Sequence, residues 1–128
     1  MATSNDVMTK GYNAGAALTK YRAVKFSAAE TVIPVAAITD VVAGICQNTV
    51  TDNDRTVRGV GAQVRVMGAS LVEAAAAITI GALVTTNASG QAKAAATGER
   101  VIGMCVEAAS GAGKYARVQL VVPGFLAP

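Results

Sequence analysis

The chain has no histidine, no tryptophan and only two cysteines among its 128 residues. Without histidine it lacks the commonest general base and one of the two commonest zinc ligands. A serine or cysteine nucleophile would have no such base to activate it. We therefore expect a protein that is not an enzyme and that holds no metal, no other cofactor and no small-molecule substrate.

Large rings are also scarce, because aromatic residues make up 4% of the chain. Aromatic side chains usually supply much of the area buried in a core or an interface. The length suits a single domain, and the core of one subunit should be thin. Thin cores are commonly supplemented by oligomerisation, so we expect self-association.

Charged residues are few as well, at 15% of the chain, and the net charge is +3. The positive excess lies entirely in residues 1–25, where Lys10, Lys20, Arg22 and Lys25 face a single acid, Asp6. A basic segment before a neutral domain indicates an anionic partner surface, although a solvated flexible terminus would have the same composition. The basic residues are too sparse for a nucleic-acid site, and none is expected.

No long apolar run and no signal-peptide pattern is visible, so we expect no membrane contact and synthesis in the cytoplasm. Thiols stay reduced in that compartment. Cys46 and Cys105 are interpreted as small buried hydrophobes, with a disulfide between them as the alternative under oxidising conditions.

An imperfect internal repeat is the strongest positive signal. Residues 41–46 (VVAGIC) are echoed by residues 100–105 (RVIGMC), and each copy is followed by a glycine-rich stretch and an alternating strand, at 63–67 and 116–121. A chain built largely of repeated short strands indicates a structural or assembly protein.

Turn signals at short intervals predict an all-β fold: a small antiparallel β-barrel or sandwich of about eight to ten short strands. A hairpin is expected around residues 87–90 and a polar turn at 51–55, followed by a strand at 56–60. For residues 71–77 strand is favoured over a short helix. Strand alternation places Arg65, Arg117 and Gln119 outward. It places seven residues inward: Val64, Val66, Leu83, Ile102, Met104, Val118 and Leu120.

We divide the chain into an extended N-terminal arm, residues 1–20, and a single β-domain, residues 21–128. The arm is polar and contains glycine. We expect it to be mobile in the free protein and to order against a partner. On this interpretation, deleting residues 2–19 leaves the β-domain folded.

The order of several short motifs resembles that of the bacteriophage capsid cement (head decoration) proteins. The matching segments lie at residues 43–45, 64–68, 78–84, 87–92, 101–109 and 116–120. The resemblance covers residues 21–122 and implies a β-rich homotrimer. It also implies a structural protein that binds the outside of a phage head, at junctions between major capsid proteins, and stabilises the head. The chain would be made in the host cytoplasm and reside in the virion, on the capsid exterior.

The family supplies no catalytic residues, so the contact site rests on the basic segment. We predict a capsid or subunit interface formed by Lys10, Tyr12, Lys20, Tyr21, Arg22 and Lys25. The alternative function is that of a surface or fibre-type β-module, a secreted structural subunit without catalytic activity.

Overall fold

A computed structural model describes residues 6–127, so residues 1–5 of the expected arm lie outside the described part. Within it the chain forms nine strands and one short helix, which confirms the all-β prediction. The strands are β1 (Asp6–Ala14), β2 (Ala23–Ala28), β3 (Thr31–Pro34), β4 (Gly44–Cys46), β5 (Ala62–Glu73), β6 (Leu83–Thr86), β7 (Ala92–Ala94), β8 (Arg100–Glu107) and β9 (Tyr115–Leu126), and the helix is α1 (Asp52–Thr56).

Five strands close into a small barrel in the order β1-β3-β2-β4-β5, with β5 pairing back to β1. All pairs in this first barrel are antiparallel except β1–β3, which is parallel and joins Asn13 to Thr31 and Ala14 to Val32. The barrel is therefore not purely antiparallel. Residues 6–14 of the expected arm form the strand that closes it. The boundary at residue 20 stays a prediction.

The second half of the chain repeats this arrangement as a second ring. β5 changes partner at Gly68, pairing with β1 before it and with β9 after it. The sheet continues from β9 to β8, β6 and β7. A single parallel bridge between Ala74 and Ala92 then joins the end of β5 to β7, as Ala14 and Val32 join β1 to β3.

Each half has its own apolar core, and the members correspond. Leu18 and Val50 form a bridge in the first half, and Ile78 and Ala109 form the equivalent bridge in the second. The first core contains Leu18, Val24, Val32, Cys46, Val50, Ala62 and Val64; the second contains Ile78, Val84, Ala92, Cys105, Ala109, Ala116 and Val118 at the matching positions. The repeat seen in the sequence is thus a duplicated barrel.

The central glycine of each repeat lies where two backbones meet. A Cβ on Gly44 would lie 2.5 Å from the Arg65 carbonyl oxygen, and one on Gly103 would lie 2.1 Å from that of Gln119. Neither oxygen can move without breaking a strand pairing. The sequence motif therefore marks a close approach of two strands in each ring.

We expect Gly103→Ala to destabilise the fold by about 3 kcal/mol, at the upper end of the cost of overpacking. The measurement is urea denaturation followed by circular dichroism. Gly111→Ala is the matched control, because a Cβ there meets nothing within 4 Å, and its change should stay within about 0.5 kcal/mol. Equal stabilities for the two variants would contradict this account of the repeat.

Four local predictions are wrong. The described chain has no strand at residues 56–60, and the turn at 51–55 contains α1. Thr51 caps that helix by accepting a hydrogen bond from the Asp54 N–H, while Asp54 accepts one from the Thr51 N–H. Met104 is exposed instead of inward, because β8 has an irregular register between Val101 and Gly103 that shifts its alternation. Leu83, its partner on β6, lies on the same outer face instead of inward.

Other expectations are confirmed. Residues 71–73 belong to β5, and no helix forms at 71–77. The hairpin around residues 87–90 joins β6 to β7. Val64, Ile102, Val118 and Leu120 are buried, and Val66 is half-buried. Gln119 is exposed, and Arg65 and Arg117 are half-buried.

Candidate functional site

Lys10 and Tyr12, the first two predicted contact residues, lie together at one end of the first barrel. They pair with Val64 and Ala62, whose side chains are buried in that barrel. Paired residues on neighbouring strands share a face, so these side chains lie on the inner side, at the rim. The Lys10 Nζ is 5.7 Å from the centre of the Tyr12 ring.

Phe26, which the sequence did not single out, completes this rim. It pairs with the buried Val32, and its ring meets that of Tyr12 edge to face, with centroids 5.1 Å apart. Aromatic pairs in this geometry contribute about 0.5–1.5 kcal/mol beyond their buried area. We define the first rim as Lys10, Tyr12 and Phe26.

Lys20 and Tyr21 form a second group. The Tyr21 ring packs edge to face on Tyr115, with centroids 5.3 Å apart, and the Lys20 Nζ lies 5.1 Å from the Tyr21 centroid. Tyr21 has a φ of 65°, and the equivalent residue of the second half is Gly81, with a φ of 86°. A non-glycine residue in this region costs roughly 1–2 kcal/mol. The packing of the Tyr21 ring on Tyr115 is thus made although the Tyr21 backbone adopts an unfavourable φ.

Arg22 and Lys25 are occupied within the chain. Arg22 forms an ion pair of 3.0 Å with Glu73, which also accepts a short hydrogen bond from Gln91. Lys25 forms an ion pair of 3.0 Å with Asp40. Across residues 6–127, Lys10 and Lys20 approach no carboxylate within ion-pair distance. Their charges are the ones available to an anionic partner.

The carboxylate of Asp40 is stabilised in its charged form. Its Oδ2 accepts hydrogen bonds from the Ala36 and Ala37 N–H groups at 2.8 and 2.9 Å. The hydrogen bond from Ala36, then Lys25, lowers the pKa of Asp40 below its ordinary value of 3.8. In the second half, the Ala96 N–H and Lys93 lower the pKa of Glu99 below 4.5.

Because the pKa values of Asp40 and Glu99 are lower in the folded state, their stabilisation is complete above the unfolded values and is lost as the pH falls through the folded ones. We expect the melting temperature to stay level down to roughly pH 5.5 and to fall below it. Asp40→Asn combined with Glu99→Gln should flatten this acid slope, as measured by thermal melts across pH. An acid slope identical to that of the wild type would refute the role of these two groups.

The two cysteines are free and buried in different cores. The Sγ of Cys46 donates to the Asn48 carbonyl at 2.9 Å, and that of Cys105 to the Glu107 carbonyl at 3.2 Å. Burial raises the pKa of both thiols, which keeps them protonated and poorly nucleophilic. This agrees with their interpretation as small buried hydrophobes.

An open apolar groove of about 280 Å³ lies on the second ring. It is lined by Leu83, Val101, Gly103, Met104, Gln119 and Val121. The sequence did not indicate this groove, because strand alternation places Leu83 and Met104 inside the ring. The internal repeat was the signal that could have indicated the groove. It aligns Met104 with Ile45, which lies on the outside of the first barrel.

In residues 6–127, no three histidine, cysteine, aspartate or glutamate side chains come close enough together to hold a metal ion. No helix of the described part is both long and apolar enough to cross a membrane.

Neither a protein-family model nor a curated protein matches the chain. A solved structure does: the head fiber gp8.5 N base in bacteriophage phi29. The TM-score is 0.68 at 20% sequence identity, and the match covers 94% of this chain and 98% of that one. The chain therefore shares the fold of the gp8.5 base over nearly its whole length.

Proposed function

We propose that the chain is a structural protein of a phage virion that binds the outside of the head and acts without catalysis. The observation that carries this proposal is the likeness to a head-fibre base over nearly the full length of both chains. The finer function is that of a cement protein. It binds at junctions between major capsid proteins as a homotrimer and stabilises the head after synthesis in the host cytoplasm.

The contact surface in this proposal, toward the capsid or a neighbouring subunit, centres on Lys10, Tyr12, Lys20 and Tyr21. Lys10 and Lys20 have no ion-pair partner in the described chain, and each lies against a tyrosine ring. Such a pair offers a cation and an amphipathic ring to an acidic surface. Arg22 and Lys25 support the fold through Glu73 and Asp40 and contribute less to the contact.

The test is co-sedimentation of the purified protein with heads that lack it, at low and at high salt. We expect binding that weakens with salt and that falls about tenfold in a Lys10→Glu, Lys20→Glu double variant, since each exposed ion pair contributes about 0.2–1 kcal/mol. Arg58→Glu is the control, because its cation already pairs with Asp54. Failure of the wild-type protein to bind heads at any salt concentration would overturn the proposal.

A second candidate function is that of the base of a head fibre. It is favoured because the similar solved structure is itself the base of a head fibre. Heat and chelator resistance of the heads separates the two roles. A cement protein raises the temperature at which heads release their DNA, whereas a fibre base binds without this effect.

A further inference from the structure

Two rows of outward-facing residues occupy equivalent positions on the two halves of the chain. In the first barrel, Ile45 on β4 lies between its partners on β2 and β5. In the second ring, Met104 on β8 lies between its partners on β6 and β9. The first row is Ala23, Ile45 and Arg65, and the second row is Leu83, Met104 and Gln119.

The first row is covered within the chain by the second ring. Although Ala23 and Ile45 face away from the first barrel, they are fully buried and belong to the same apolar cluster as the core of the second ring. Next to them, the Ala23 N–H donates to the Gly90 carbonyl at 3.0 Å, and the Gln47 Nε2 donates to the Ser70 Oγ at 2.8 Å. The first row thus closes one end of the second ring.

The end of the second ring that the first row closes is equivalent to the first rim of the first barrel. Strand pairing matches Lys10, Tyr12 and Phe26 of the first barrel with Ser70, Val72 and Thr86 of the second ring. These three residues, the second rim, are all buried. The internal contact is therefore an outer row packed over a rim.

One row and one rim remain uncovered in the single chain. Met104 of the second row is 43% exposed, and Val121 beside it is 46% exposed. At the other end, Phe26 of the first rim is 51% exposed. Clusters of exposed large apolar side chains in a soluble protein mark interaction sites.

The geometry points to a second copy of this chain as the partner: the second row of one copy packs over the first rim of the next. This repeats between copies the contact that the chain already makes once within itself. The inference rests on the self-association in the proposed function but not on attachment to a head. Because the two surfaces differ, the contact is heterologous and closes into a ring, such as a trimer, when the rotation allows it.

The side chains at the contact between copies are larger than those at the internal contact. Inside the chain, a first row with a small residue, Ala23, meets a second rim without aromatic rings. Between copies, the rings of Tyr12 and Phe26 meet the open groove of about 280 Å³ that Leu83 and Met104 line. Phe26 and Met104 lose apolar exposure on both sides of the contact, which is the main source of association free energy.

The first test compares Met104→Lys, Phe26→Lys and the control Val57→Lys by sedimentation velocity across protein concentration. Val57 is 75% exposed and lies outside both surfaces. We expect the wild-type and control proteins to associate, and the other two variants to need at least about tenfold more protein, since a buried unpaired charge costs more than 1.4 kcal/mol. A wild-type protein that stays monomeric at its highest soluble concentration would overturn the inference.

The second test identifies the contacting surfaces even when a charge variant folds poorly. Phe26→Cys and Met104→Cys proteins are mixed and treated with a short bis-maleimide, while the native thiols are buried. We expect mixed dimers to form faster than either homodimer, and Val57→Cys to cross-link with neither. Predominant Met104→Cys homodimers would show a symmetric contact and refute the head-to-tail one.

Failure of this inference is distinguishable from failure of the proposed function. Co-sedimentation with heads reports attachment, whereas mixed cross-linking in the absence of heads reports the contact between copies. A protein that binds heads without mixed dimers leaves the proposed function standing and overturns the inference alone.

Discussion

Val118→Asp is expected to unfold the second ring. Val118 is fully buried in the second core and pairs with Ser70 on β5 and Cys105 on β8, so a new carboxylate there reaches neither water nor a cation. A charge buried without a partner belongs to the small class of substitutions that cost more than about 4 kcal/mol. That is a large part of the 5–15 kcal/mol by which domains are typically stable.

The measurement is chemical denaturation followed by far-ultraviolet circular dichroism. Gln119→Asp is the matched control, because the neighbouring side chain lies on the other face of β9 and is exposed. Its stability at low protein concentration should match that of the wild type. If Val118→Asp unfolds at the wild-type midpoint, the alternation assigned to β9 is incorrect.

Strand alternation made the core of β5 and β9 predictable from the sequence. Val64 and Val118 are flanked by polar residues in regular runs, and both are buried. The same rule failed for Met104 because an irregularity in pairing is a property of two strands together, and β8 slips against β9 between Val101 and Gly103. Nothing in the sequence of β8 alone marks that slip.

The duplicated barrel was only half visible in the sequence. Gly44 and Gly103 are retained because a backbone oxygen occupies the space of a side chain, so their motif could be recognised. β1 and its counterpart in β5 differ in sequence, since the first rim is exposed and the second rim is buried. The internal repeat is therefore hardest to recognise at the rim residues, which are the ones most relevant to binding.

Similar reasons limited the prediction of the contact site. The basic residues were evident, but their internal partners are remote in sequence: Glu73 binds Arg22, and Asp40 binds Lys25. Only the fold shows that two of the four cations are neutralised. The described chain leaves Lys10 and Lys20, each beside a tyrosine, as the free cations of the predicted site.

Deletion of residues 2–14 is expected to collapse the first barrel, in contrast to the mobile arm that composition indicated. β1 pairs with β5 from Asp6 to Tyr12 and reaches β3 at Asn13 and Ala14. A polar segment can occupy this position because backbone N–H and C=O groups, rather than apolar side chains, make the pairing. Its removal leaves two unpaired strand edges and opens the first core, a combination that favours aggregation.

Deletion of residues 2–5 is the control, since it leaves every β1 pairing in place. We expect the longer deletion alone to bind a hydrophobic dye and to lose the cooperative melt of the first barrel. The second ring should weaken too, because the first row closes its end. Native circular dichroism and an unchanged melt after the longer deletion would instead establish a dispensable arm. If the longer deletion unfolds the first barrel, its loss of head binding would not show that residues 2–14 contact the head. The Lys10→Glu, Lys20→Glu variant tests that contact more directly, because it changes two side chains and leaves the β1 pairings in place.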